Sequence, residues 1–139
     1  MPFIDVKTNV TFSKEKADEL MKELSGSLKA IGKSEAYVMC AVNDGLKMSF
    51  QGSSDEPAAI VEVKLLGKGT KDGYAKVTEN ICNIMQTNGI AGKRCYVKYD
   101  EVEHWGMDSF MFWKQTVIYR IIIYIFYGRK SYYENCCSC

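Results

Sequence analysis

Apolar residues recur at three- and four-residue spacing in two stretches of the chain, which predicts two amphipathic helices. Ser13 is placed to cap the first helix and Gly32 to end it. The second helix is predicted to begin at Thr70 and to end at Asn88-Gly89. The buried stripes consist of Ala17, Leu20, Met21, Leu24, Leu28 and Ile31 in the first helix, and of Tyr74, Val77, Ile81, Ile84 and Met85 in the second.

Short runs with β-type composition flank each predicted helix. Residues 3–8 and 36–42 flank the first helix, and residues 58–66 and 95–100 flank the second. The order β-α-β therefore occurs twice, and a right-handed crossover within each unit joins parallel strands. The predicted fold class is α+β, with two β-α-β repeats forming a four-stranded sheet and both helices on one face.

The predicted strands carry apolar residues on both faces, as in the run from Ile60 to Leu66. Between the two units, Leu46, Met48 and Phe50 alternate with polar residues, which predicts a short additional edge strand. Self-association would cover the second sheet face and the exposed strand edges together.

The sequence changes character at Met111, so we assign residues 1–110 to one domain and residues 111–139 to an atypical hydrophobic and Cys-rich C-terminal extension. Lys114 and Arg120 interrupt the extension, and the uncharged run 121–128 is far shorter than the roughly twenty residues of a membrane span. Membrane contact is therefore not expected. A β-rich extension, an interfacial anchor and a non-native or read-through end stay open.

Composition and charge narrow the class of protein. A chain of 139 residues has room for one hydrophobic core. Its formal net charge of +1 gives no basic field for nucleic acid, so we expect no nucleic-acid partner. The amino terminus carries no signal-peptide pattern, and Cys40, Cys82 and Cys95 stand alone among apolar neighbours as expected buried thiols. These features favour a cytoplasmic, reducing location.

Signals for metals and cofactors are weak. His104 is the only histidine and has only Glu103 beside it, so no metal site is predicted. Gly67 and Gly69 form an incomplete phosphate-binding pattern that is better explained by a tight turn. The Cys-x-x-Cys spacing within residues 136–139 is terminal and is interpreted as incidental. We expect no cofactor.

Pro2 is the most informative candidate for chemistry. Initiator methionine is normally removed before a small residue, which would expose a secondary amine at the start of the first strand. An α-amino group titrates near pH 8, and burial or a neighbouring cation lowers its pKa further. Such a neutral amine can act as a general base toward a carbon acid next to a carbonyl. The alternative is that Pro2 simply begins an edge strand.

An ordered set of short motifs resembles the macrophage migration inhibitory factor family of the tautomerase superfamily. The resemblance covers about residues 2–110. Its pieces are Met1-Pro2-Phe3-Ile4, Thr8-Asn9-Val10, Gly32-Lys33, Tyr37-Val38-Met39, Met48-Ser49-Phe50-Gln51-Gly52-Ser53-Ser54, Leu66-Gly67-Lys68, Arg94-Cys95-Tyr96-Val97 and Trp105-Gly106-Met107.

This resemblance implies a homotrimer with pockets at the subunit boundaries and keto–enol tautomerisation of phenylpyruvate-like 2-keto acids or dopachrome-type compounds. It assigns Pro2 as the base and Lys33 as the cation that holds the substrate carboxylate or enolate. Further substrate-binding positions are the Leu66 backbone amide, Tyr96 from a neighbouring subunit, Lys98, and the apolar rim of Trp105, Met107 and Phe110. The family also implies a second role as a cytokine-like ligand of a cell-surface receptor, secreted by a non-classical route.

Three positions depart from the family pattern. Lys98 stands where mammalian members commonly have asparagine, which would add a cation near Pro2 and favour an anionic substrate. Ala58-Ala59-Ile60-Val61 stands where some members have a Cys-x-x-Cys pair, so thiol oxidoreductase chemistry is not expected there. The family's usual ending is shortened to Asp108-Ser109-Phe110.

Overall fold

The structure is a computed structural model that describes residues 1–113. The predicted features of the C-terminal extension beyond residue 113 lie outside the described residues. The helices and strands in chain order are β1 (Pro2–Thr8), α1 (Lys14–Ser27), β2 (Met39–Asn43), β3 (Ala59–Leu66), α2 (Lys71–Thr87), β4 (Cys95–Val102), β5 (His104–Met107) and β6 (Phe110–Trp113). Three 3-10 turns cover Leu28–Ile31, Glu35–Tyr37 and Gly92–Arg94.

The first four strands form one sheet in the order β2-β1-β3-β4. Within each β-α-β unit the two strands are parallel, so β1 pairs with β2 and β3 with β4. The two units meet through an antiparallel pair of β1 and β3 at the centre of the sheet. The predicted fold class is therefore confirmed.

Side chains at the helix ends act as the sequence predicts. The Ser13 hydroxyl accepts a hydrogen bond of 3.2 Å from the Lys16 N–H, and the Thr70 hydroxyl accepts one of 3.1 Å from the Gly73 N–H. Each cap satisfies a backbone donor that would otherwise lack a partner and stabilises its helix by about 1 kcal/mol. At the end of the first helical segment Gly32 adopts a left-handed conformation with φ of 72°.

The hydrophobic core lies between one face of the sheet and the two helices. Alternate residues along β1 and β3 are buried, as the two-residue period of a strand requires. Core residues that are at most 2% exposed include Ile4, Val6, Val61, Val63 and Leu65 from the sheet and Leu20, Leu24, Leu28, Val77, Ile81 and Met85 from the helical segments. The opposite sheet face carries the intervening residues and is called the open face below.

Two predicted strand segments differ from the structure. The strand predicted at residues 36–42 is present but begins only at Met39, because residues 35–37 form a 3-10 turn. The alternating segment from Leu46 to Phe50 forms no strand in residues 1–113; its pairing is limited to one bridge between Phe50 and Ser53. The Leu46 N–H instead donates to the Thr8 carbonyl at 2.9 Å, which ties the segment to the end of β1.

The described residues divide into two compact units, Met1–Val102 and a second unit that begins at Glu103. In the second unit β5 and β6 form an antiparallel hairpin. Asp108 and Ser109 turn the chain between them with φ of 48° and 64°. Within residues 1–113, no helix is both long and apolar enough to cross a membrane.

Candidate functional site

Pro2 is the first residue of β1, one of the two central strands of the sheet, and it is buried. Its register partner is Leu65 on β3, so the amino end of β1 lies beside the carboxyl end of β3. A proline can occupy the first position of a strand because the N–H that it lacks is not needed there. The candidate base therefore lies at the edge of the hydrophobic core.

Lys33 lies close enough to the amino terminus to affect its ionisation. Burial, and secondly the positive charge of Lys33, lower the pKa of the Met1 α-amino group from its ordinary value. The Lys33 N–H donates to the Leu28 carbonyl at 3.2 Å, directly after the left-handed Gly32, and this fixes the backbone that presents the side chain. Within residues 1–113 no carboxylate pairs with the half-buried Lys33 ammonium.

Leu66 ends β3 one residue after the partner of Pro2. The chain turns immediately afterwards at Gly67, which has a φ of 87° and whose N–H donates to the Val102 carbonyl at 3.0 Å. The structure thus brings three of the predicted site residues, Pro2, Lys33 and Leu66, to one end of the sheet.

Lys64 also lies at this end of the sheet, and sequence reasoning missed it. It is opposite Phe3 in the register, and its ammonium lies 5.2 Å from the centroid of the Phe3 ring. The nearest carboxylate oxygen, of Glu62, is 3.9 Å away. Lys33 and Lys64 thus place two ammonium groups near the amino end of β1, where either could pair with an anionic ligand.

Tyr96 and Lys98 lie elsewhere in the same chain. Tyr96 is opposite Ile60 on β3, five register positions before the Leu65 partner of Pro2, and 61% of it is exposed. Five strand residues span about 16 Å. One chain therefore does not bring Tyr96 to its own Pro2, and the supply of Tyr96 by a neighbouring subunit stays a prediction.

The Lys98 ammonium is held within a charge network on the open face. It lies 3.2 Å from a Glu62 carboxylate oxygen and 3.1 Å from one of Asp100. Glu62 also pairs with Lys7, which in turn lies 2.9 Å from Asp5. Two carboxylates thus offset the charge of Lys98 in its own chain. The open face is consequently less apolar than the sequence pattern of β3 suggested.

Glu62 is the centre of this network. Hydrogen bonds from Lys7 and then Lys98 lower the pKa of its carboxyl to about 2. Since this folded-state pKa lies below the ordinary value, the network stabilises the fold above about pH 4.5 and loses that contribution as the pH falls toward 2.

Glu62→Gln is expected to lower the free energy of unfolding at pH 7 by about 1 kcal/mol, because three lysines lose a shared counter-charge. The measurement is denaturant unfolding at several pH values, and the difference from wild type should shrink between pH 4.5 and pH 2. Glu79→Gln, on the exposed surface of α2, is the matched control. A pH-independent difference would contradict this account of Glu62.

Trp105 and Met107 lie on β5 in the second unit. Trp105 is half-buried and is opposite Phe112 in the hairpin register, while Met107 and Phe110 are 52% and 57% exposed. The hairpin therefore presents apolar side chains of the kind that an aromatic ring would contact.

The thiols of Cys40 and Cys95 are poor nucleophiles in their environment. Cys95 is buried as predicted, while Cys40 and Cys82 are half-buried. Burial raises the pKa of both Cys40 and Cys95 to about 12, so these thiols stay protonated at neutral pH. Among residues 1–113, no three His, Cys, Asp or Glu side chains come together to form a possible metal site.

Comparisons with known proteins agree with the fold and with the motifs. The sequence profile of the macrophage migration inhibitory factor family matches residues 1–114. A macrophage migration inhibitory factor homolog from Brugia malayi is 31% identical over 104 residues, which make up 74% of this chain and 90% of that protein.

Two solved structures extend the agreement to three dimensions. MIF2 from Leishmania major is 31% identical, with a TM-score of 0.76, and the match covers 81% of this chain and 97% of that one. A macrophage migration inhibitory factor homologue from Prochlorococcus marinus is 32% identical, with a TM-score of 0.72 over 79% of this chain and 98% of that one. Fold, motifs and sequence similarity over most of the chain agree, and the protein belongs to the macrophage migration inhibitory factor family.

Proposed function

We propose that this protein is a cofactor-independent keto–enol tautomerase of small aromatic 2-keto acids of the phenylpyruvate type, or of dopachrome-type compounds. In this proposal Met1 is removed and the nitrogen of Pro2 is the general base. The observation that carries the proposal concerns the chain that still has Met1. The pKa of the Met1 α-amino group is lowered by burial and by the neighbouring Lys33.

Removal of Met1 would move the free amine one residue inward, from half-buried Met1 to buried Pro2. Burial and the charge of Lys33, the two causes that lower the pKa of the Met1 amine, would then act on the Pro2 nitrogen. Compared with an amine of ordinary pKa, a larger fraction of the Pro2 amine would be neutral at pH 7 and able to accept a proton.

The reaction needs only proton transfers. The Pro2 nitrogen takes a proton from the carbon next to the keto group, the electron pair of that C–H bond forms the carbon–carbon double bond, and the carbonyl π electrons move to oxygen. The Lys33 ammonium would stabilise the negative charge that develops on this oxygen, or hold the substrate carboxylate. The protonated Pro2 then returns the proton to the enolate oxygen, which completes the enol.

A homotrimer would complete the pocket. β2 and β4 are edge strands of the sheet, and Tyr37, Met39 and Tyr96 are 66%, 70% and 61% exposed, so each chain has apolar surface available for association. In the proposed trimer Tyr96 and Lys98 come from a neighbouring subunit, the Leu66 amide faces the substrate oxygen, and Trp105 and Met107 form the apolar rim.

The pH profile of phenylpyruvate enolisation tests the proposal directly. We expect kcat/KM to rise with pH as the Pro2 amine loses its proton, and to reach a plateau near neutral pH because the amine pKa is lowered. Titration of the ¹⁵N-labelled Pro2 nitrogen by NMR should give the same pKa. Intact mass of the same sample reports whether Met1 is absent. A processed protein that lacks enolisation activity, or whose Pro2 titrates like an amine in open water, would overturn the proposal.

A second role as a receptor ligand is suggested by the name macrophage migration inhibitory factor, which the Brugia malayi relative carries. Secretion by a non-classical route stays a prediction. The two roles are separable because receptor binding needs a surface, whereas enolisation needs the amine. Receptor binding that survives Pro2→Gly would therefore support signalling that is independent of the chemistry.

A further inference from the structure

The loop between β2 and β3 is organised by a buried arginine. Arg94 is only 5% exposed, although charged side chains are seldom buried without partners. Its guanidinium donates to the backbone carbonyls of Pro57 at 2.9 Å, Phe50 at 3.4 Å, Glu56 at 3.4 Å and Ser53 at 3.5 Å, and lies 3.1 Å from the Glu56 carboxylate. The planar arginine fork thus replaces the hydrogen bonds that a regular strand would provide.

Arg94 also holds the side chain of Phe50. The guanidinium carbon lies 5.2 Å from the centroid of the Phe50 ring, within the range of a cation–π contact. Phe50 and Ser53 exchange two backbone hydrogen bonds of 2.9 and 3.1 Å. Gln51 and Gly52 between them have φ of 53° and 77°, as a tight type I′ turn requires. Phe50 therefore has a fixed backbone and a fixed ring.

The fixed Phe50 ring packs against Tyr96. The two ring centroids are 5.0 Å apart and the rings are inclined by 80°, an edge-to-face contact. Even with this contact, 61% of Tyr96 is exposed. Within residues 1–113 its hydroxyl makes no hydrogen bond. An exposed tyrosine without such a contact samples several rotamers. The edge-to-face contact selects one of them and leaves the hydroxyl free for a ligand.

We propose that Arg94 and Phe50 are positioning residues that orient Tyr96 toward the substrate. This inference rests on the proposed function, in which the Tyr96 hydroxyl binds substrate in the site of a neighbouring subunit. Arg94 acts through Phe50, and Phe50 acts through the Tyr96 ring. Pre-orientation lowers the entropy cost of substrate binding, so its loss affects KM more than the chemical step.

Phe50→Leu is the first variant, because leucine keeps an apolar side chain and removes the aromatic edge contact. We expect KM for phenylpyruvate to rise about 5- to 10-fold while kcat changes less than about 2-fold. In a Tyr96→Phe background the same substitution should have no further effect on KM, since the hydroxyl that it positions is gone. Arg94→Lys, which loses the planar fork, should raise KM in the same direction. Phe12→Leu, at another partly buried phenylalanine, is the control and should leave KM unchanged.

An NMR measurement tests the positioning without relying on activity. In protein labelled at tyrosine rings, the Tyr96 signals are assigned by their absence in Tyr96→Phe and are expected to be shifted by the Phe50 ring. The shift should collapse in Phe50→Leu and persist in Phe12→Leu. If the protein is inactive but its Tyr96 shift collapses in this way, the proposed function is refuted and the positioning of Tyr96 is supported. An unchanged Tyr96 shift, or an equal KM increase with and without the Tyr96 hydroxyl, would overturn the inference.

Discussion

A form of the protein that retains Met1 is expected to enolise phenylpyruvate with a kcat/KM about 10²- to 10⁴-fold lower than the processed form. An added residue moves the free amine by one Cα–Cα step, about 3.8 Å. A general base must lie within hydrogen-bond distance of the proton that it removes.

The processed form is obtained by complete removal of Met1 during expression. The form that retains Met1 is obtained by cleaving a fusion partner directly before Met1. Their unfolding midpoints should agree, because Pro2 keeps its pairing with Leu65 in both. Pro2→Gly provides the third arm, since it keeps a processed amine at the same position but makes it primary and conformationally free. Equal rates in all three forms would eliminate the Pro2 mechanism.

The sequence predicted the β-α-β units because their signals are local. The caps at Ser13 and Thr70 and the stops at Gly32 and Gly89 act within one turn of the backbone, and the helical stripes repeat within each helix. Strand pairing is not local, and this explains why the edge strand predicted at Leu46–Phe50 is absent from the described residues. Alternation there indicates that a strand is compatible with the residues, but a strand also needs a partner, and the described residues offer only one bridge.

Part of the candidate site could also be proposed from the sequence. Its position at the start of the chain singled out Pro2 as the candidate base, and the motif at Gly32-Lys33 pointed to Lys33 as the candidate cation. The contact of Arg94 with Phe50 joins residues 44 positions apart, and nothing near Arg94 in the sequence indicates that a charged side chain is buried. Likewise, the sequence shows Glu62 and Lys98 only as members of separate strands, and the sheet register is needed to pair them.

Lys33→Met is expected to lower kcat/KM for phenylpyruvate about 10²- to 10³-fold, the usual effect of removing a group that stabilises a developing oxyanion. Loss of the cation has a second consequence that can be measured separately. Because the charge of Lys33 helps to lower the pKa of the nearby amine, its removal should raise that pKa and move the rise of kcat/KM to higher pH. Burial, the larger cause, stays in place, so we expect the pKa to remain below its ordinary value.

Lys29→Met is the matched control, because Lys29 belongs to the same 3-10 turn region but already pairs with Glu35 at 2.7 Å and is exposed. It should leave both the rate and the pH profile unchanged. Lys33→Arg keeps the charge with a different shape, so it should keep the wild-type pH profile while recovering only part of the rate. This separates the two roles of Lys33, since the field on the amine depends on charge and the contact with the enolate depends on geometry. A Lys33→Met enzyme with the wild-type rate and pH profile would show that neither role exists.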